Sequence, residues 1–129
     1  MIIFGFWVFM LIMDLLAPAV MVVFGSMFIR RPPKDINWIY GYRTSMSMKN
    51  MDTWVFAHGY CGKLLRNIGL AMFICSAAAM LFVLGKEVAV VGIWGGIVAA
   101  VQIVFVIVPI IFTEMALRAN FDALGNRRK

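Results

Sequence analysis

One carboxyl group stands out in this chain. Asp14 is the single charged side chain among the first 29 residues, which are otherwise almost wholly apolar. An ionised carboxylate in hydrocarbon costs about 2.5 kcal/mol or more, so its position asks for compensation. Pro18, four residues on, has no N–H and leaves the Asp14 carbonyl without its helical donor. Counting inward from the ends of three apolar segments puts Ser76 and Gln102 at the depth of Asp14. The three are expected to face one another or a small water-filled cavity. Two chemistries fit such a cluster. One is a protonatable or cation-binding carboxylate in a transport or sensing path; the other is a protonated acid that only locks helix packing.

The remaining chemistry-bearing residues are sparse. His58 is the only histidine, and Cys61 at i+3 gives it one companion. Two ligands without a third do not make a metal site, and a Cys–His pair without an orienting acid is a poor nucleophile. His58 is instead expected to be a polar anchor that tucks its helix against residues 37–44. Arg43, in that loop, suits an ion pair with Asp52, a hydrogen-bonded brace or a grip on lipid phosphate, with Glu114 competing for it. Cys61 and Cys75 lie fourteen residues apart on one expected helix, about 21 Å, too far for a disulfide. Phosphate loops, paired carboxylates and Ser-His-Asp arrangements are absent from the sequence. The chain is therefore expected to be no enzyme and to hold no metal or cofactor.

The elements that must position these residues follow from composition. Of 129 residues 64% are apolar and 14% charged, which departs from soluble domains towards membrane proteins. The fold class expected is all-α: a single membrane domain over residues 1–129 with three transmembrane helices. They cover about 2–29, 68–84 and 88–112, joined by a loop over 30–66 and followed by a tail over 113–129. Two arginines and Pro32-Pro33 stop the first span. Trp38, Tyr40 and Tyr42 suit a membrane interface. A helix restarts near Asn50, a good N-cap. Trp54, His58, Cys61 and Leu65 form one stripe of it, opposite Asp52, Lys63 and Arg66, as in an interfacial amphipathic helix leading into the second span. Gly92, Gly96 and Ala100 make a small-residue ridge in the third, where another helix can approach. Glu114 and Arg118 have the spacing of an i,i+4 ion pair. The loop carries seven Lys+Arg and the tail four, leaving only Lys86 elsewhere. The bias towards basic cytoplasmic loops then puts loop and tail inside and the N-terminus outside a bacterial inner membrane. The net charge of +6 speaks for anionic lipid and against nucleic acid, because long apolar segments interrupt the basic residues.

The loop also carries a pattern. Asn37, Gly41, Arg43, Thr44 and Ser47 are followed by Trp54, His58, Gly62 and Lys63. This resembles the signature of the SdpI family, small bacterial membrane proteins whose best-known member gives immunity to a secreted peptide toxin. The likeness is strong over about thirty residues. The chain departs from it at Ser45, where a proline commonly follows the threonine, and at Met51-Asp52, where acidic residues usually precede the tryptophan. Membership implies a non-enzymatic integral membrane protein, and the characterised member implies toxin immunity, with a regulator recruited through the cytoplasmic loop. The three-helix unit would then occlude or bind a membrane-inserting peptide, as a homo-oligomer through Gly92, Gly96 and Ala100. Met46, Met48 and Met51 offer a flexible apolar surface for a partner peptide. The alternative is a small proton- or cation-coupled transporter that uses Asp14.

Overall fold

In the computed structural model, which describes residues 1–128, these residues form three helices and no sheet. They are α1 (Ile2–Arg30), α2 (Met51–Leu81) and α3 (Val88–Asn120). Each is long and apolar enough to cross a membrane. At 1.5 Å per residue α1 extends about 43 Å, against roughly 30 Å of hydrocarbon. The amphipathic stripe and the second span belong to one uninterrupted helix, α2. At its start Asn50 Oδ1 accepts the Thr53 N–H at 2.9 Å and Thr53 Oγ1 accepts the Asn50 N–H at 3.1 Å. This reciprocal cap satisfies donors that the first turn leaves open. At the far end the indole N–H groups of Trp7 and Trp94 donate to the carbonyls of Met80 and Ala79 at 2.7 and 2.6 Å. The chain then reverses through Gly85 at φ 82°.

Packing follows a seven-residue beat, the repeat of coiled coils. Trp7, Asp14, Met21 and Phe28 are the buried line of α1; Gly62, Gly69 and Ser76 lie on α2, and Gly95, Gln102 and Pro109 on α3. Antiparallel α1 and α2 meet most closely. A Cβ placed on Gly25 would lie 2.5 Å from the Arg66 nitrogen, and one on Gly62 would lie 2.9 Å from the Gly25 carbonyl. Backbone touches backbone there, as small residues permit in membranes.

Along the axis the interior has three parts. Trp7, Met80, Val83 and Val91 fill one end. Phe28, Tyr42, Met46, Ala57, Cys61, Leu117 and Phe121 fill the other. Asp14, Ser76 and Gln102 are buried between them. Residues 31–50 fold over the second end, and so does the tail. Phe121 pairs with Arg127 across a turn, and the Arg127 guanidinium lies over the rings of Phe56 and Phe121, 5.8 and 5.2 Å from their centroids. In that turn Asp122 Oδ1 accepts the N–H groups of Leu124 and Asn126. Hydrogen bonds from the backbone, first that of Asn126, hold its carboxyl below the usual range. Loop and tail thus share one end of the bundle, and α3 continues helical to Asn120 before the tail begins.

Candidate functional site: a loop locked onto the second helix

The signature residues build a loop from its own hydrogen bonds. Asn37 Oδ1 accepts the N–H groups of Ile39 and Tyr40 at 2.9 and 2.7 Å, the local turn that Asn favours. Gly41 follows at φ 121°, a conformation that L side chains rarely adopt. It is also pressed onto α2, since a Cβ here would lie 2.6 Å from His58 Nε2 and 3.1 Å from the Trp54 ring. Thr44 and Ser47 exchange hydrogen bonds, N–H to Oγ in one direction at 2.9 Å and N–H to Oγ1 in the other at 3.1 Å. The Ser47 carbonyl then accepts from Thr53 Oγ1 at 3.0 Å. Through this chain of short polar side chains the loop is continuous with the cap of α2.

Trp54 and His58 are both fully buried, at 0% exposure. Trp54 Nε1 donates to the Pro33 carbonyl at 2.9 Å. His58 Nδ1 lies 2.8 Å from the Trp54 carbonyl, and Nε2 lies 2.9 Å from the Tyr42 N–H. A carbonyl only accepts and an amide N–H only donates, so Nδ1 carries the proton and Nε2 offers its lone pair. Phe28 closes the stack edge-on to the imidazole, 4.9 Å between centroids. His58 does sit against residues 37–44, as an acceptor that fixes the loop.

Several residues stand otherwise than the sequence suggested. Tyr42 is buried, not an interfacial aromatic: its hydroxyl donates to Glu114 Oε1 at 2.7 Å and joins the loop to α3. Burial and that carboxylate push the phenol well above its ordinary range. Glu114 thus meets Tyr42 and does not compete for Arg43, which takes the hydrogen-bonded brace among its expected roles by donating to the Trp38 carbonyl. Lys63 is exposed, in keeping with its place opposite the Trp54, His58, Cys61 and Leu65 stripe. Met46 is buried in the core and takes no part in an apolar surface. Trp38 and Ile39 are the displayed pair, 80% and 90% exposed. Sequence reasoning passed over Thr53 as the link between loop and helix, although a Thr three residues after Asn50 is the signal for it.

The polar residues of the spans are drawn together. Gln102 Nε2 donates to the Asp14 carbonyl at 2.5 Å and to Ser76 Oγ at 2.7 Å. The carbonyl opened by Pro18 is the one that Gln102 fills. Asp14 is 2% exposed, and its Oδ2 has no hydrogen-bond partner. Gly95 makes the space for it: a Cβ there would stand 3.2 Å from Oδ2. Ser76 and Gln102 also line a groove of about 390 Å³ between α2 and α3, whose other walls are apolar. Gly96 has nothing of its own chain within 4 Å of a Cβ, and Gly92 meets only the Phe6 ring at 3.7 Å. Gly96 and the exposed Ala100 thus face away from the bundle, while Gly92 lies towards α1.

The fold and this site define a class: an all-helical, multi-pass membrane protein whose polar loop is folded onto the end of its bundle. The chain matches the SdpI/YfhL protein family over residues 34–113, from the loop through nearly all of α3, and it belongs to that family. It is similar to the protein YfhL of Bacillus subtilis (strain 168), named as uncharacterized, with 36% identity over 58 residues. The aligned stretch is 45% of this chain and 53% of the relative, so the chain spans about half the length of the curated relative it matches. No solved structure matches it.

Proposed function

We propose that the protein protects the membrane that holds it from a membrane-active peptide, and that it does so by binding and not by catalysis. One observation carries the reading. Asn37, Gly41, Thr44, Ser47, Trp54 and His58 are all spent on bonds and contacts within the chain. Side chains used that way make a rigid scaffold, which suits recognition; a reaction centre needs polar groups that converge on a substrate. The peptide would lie along the apolar groove between α2 and α3. The loop end, where Trp38 and Ile39 are exposed and Arg43 donates to the Trp38 carbonyl, would take a cytoplasmic regulator. The charge bias supports an N-terminus outside and this end inside the bacterial cell.

Expression in cells sensitive to a membrane-active peptide tests the first part. Survival should rise with the wild-type chain and fall back with His58→Ala at equal membrane level. No gain against any matched peptide overturns the reading. A cysteine at position 38 should react with an impermeant maleimide only after the membrane is opened.

A further inference from the structure

We propose that Asp14, with Gln102 and Ser76, forms a proton-binding site within the bundle, in which the Asp14 carboxyl carries its proton at neutral pH. The inference stands on the geometry of the spans and is independent of the immunity reading.

A carboxylate anion needs donors or a cation, because it can only accept hydrogen bonds. Neither is at hand. Asp14 Oδ2 is buried without a partner. The Gln102 side-chain amide is committed elsewhere, since the two N–H bonds of its Nε2 go to the Asp14 carbonyl and to Ser76 Oγ. Gly95, which faces the carboxyl, brings no side chain. Charged groups are distant along every helix packed against it. On α1 the next charged side chain is Arg30; on α2 and its connecting turn they are Arg66 and Lys86; on α3 and its cap they are Glu87 and Glu114. Cys75 is the one titratable group between those limits, and it is exposed. A neutral acid needs no counter-charge and loses far less on burial than the anion, and a buried group without compensation avoids charge by holding its proton.

The proton also bears on how α3 is held. Removing it would leave a negative charge in a site whose side-chain donors are the Gln102 amide and the Ser76 hydroxyl. Turning that amide to the charge would break the two hydrogen bonds that tie α3 to α1 and α2 at this depth. The site therefore links proton occupancy to the seating of the third helix.

Dicyclohexylcarbodiimide, a lipid-soluble reagent, reads the proton directly. A carboxylic acid adds across it: the acid proton goes to a carbodiimide nitrogen, the carboxyl oxygen bonds to the central carbon, and the adduct rearranges to a stable N-acylurea. With the full chain in lipid vesicles at neutral pH, the dominant adduct should map to Asp14. It should be lost in Asp14→Asn, and a water-soluble carbodiimide should label Asp35 and Asp52 instead. An infrared band of a protonated carboxyl should be present in the wild type and missing from the variant. Mapping the adduct needs only the wild-type chain, so poor folding of the variant leaves the test intact. Asp14 unlabelled by the lipid-soluble reagent, in protein that shows only ionised carboxylate bands, overturns the proposal.

Discussion

Tyr42 donates its backbone N–H to Nε2 of His58 across 2.9 Å, and this bond joins the loop to α2. The ring is held from its other side by the Trp54 carbonyl, so only one neutral tautomer serves. His58→Ala would orphan a buried N–H and open a cavity beside Trp54 and Phe28. The expected cost is about 3 kcal/mol or more. Thermal unfolding in detergent should report it, together with faster hydrogen exchange at the Tyr42 amide.

The Tyr42 hydroxyl makes the complementary tie to α3 through Glu114. Tyr42→Phe should cost about 1 kcal/mol at neutral pH, since Glu114 is only half-buried and water can take up part of the loss. The pH dependence has a definite sign. Burial first, then Glu114, raises the phenol above its ordinary value, so the folded state favours the neutral form. That contribution is complete below the ordinary phenol pKa near 10 and declines as the pH rises past it. Unfolding followed into alkaline solution should show a component in the wild type that Tyr42→Phe lacks.

What could be read in the sequence depended on whether a residue named its own partner. Asp14 did, because one acid in an apolar run demands compensation and Pro18 identifies the carbonyl set free. Helices of similar length that alternate in direction then fix depth, which pointed to Ser76 and Gln102. The three crossings were equally legible. The loop was not: an amphipathic ring such as Tyr42 looks the same whether its hydroxyl meets water or a carboxylate 72 residues on. Met46 likewise reads as loop surface until the chain folds it inward. Gly25 has no periodic signal of its own, and its closeness to Gly62 depends on the register of two helices. A trace of that register was present in the seven-residue spacing of Gly62, Gly69 and Ser76, beside the more familiar four-residue spacing of Gly92 and Gly96.

The two sets of glycines should therefore respond differently. Gly25→Val would drive a side chain into the Arg66 and Gly62 backbone, which cannot move aside as a flexible side chain can. A loss of about 3 kcal/mol or more is expected, at or above the upper end for overpacking. Gly96→Val has open space before it and should leave unfolding of the single chain within about 0.5 kcal/mol of wild type. Cross-linking of the wild type and Gly96→Val in vesicles adds the oligomeric readout. A dimer band lost in Gly96→Val, with chain stability unchanged, would assign the ridge to a second copy.

Asn50 joins helix start and tail through opposite ends of one amide, and two substitutions separate those roles. Its Oδ1 caps α2, while Nδ2 donates to the Gly125 carbonyl at 2.7 Å. Asn50→Asp keeps the acceptor and places a negative charge at a helix N-terminus, where it is favoured. It removes the donor, however, and sets an oxygen against the Gly125 carbonyl. Unfolding should change by less than about 0.5 kcal/mol, while the tail loosens. Asn50→Ala removes both bonds and should cost about 1 kcal/mol or more. Trypsin distinguishes the cases, because Arg127 rests on Phe56 and Phe121, and Arg128 Nε donates to the Arg118 and Phe121 carbonyls at 3.0 Å. Cleavage after these arginines should accelerate in both variants, with helix stability lowered only in Asn50→Ala. Equal cleavage rates in wild type and Asn50→Asp would mean that the arginine contacts hold the tail without the amide.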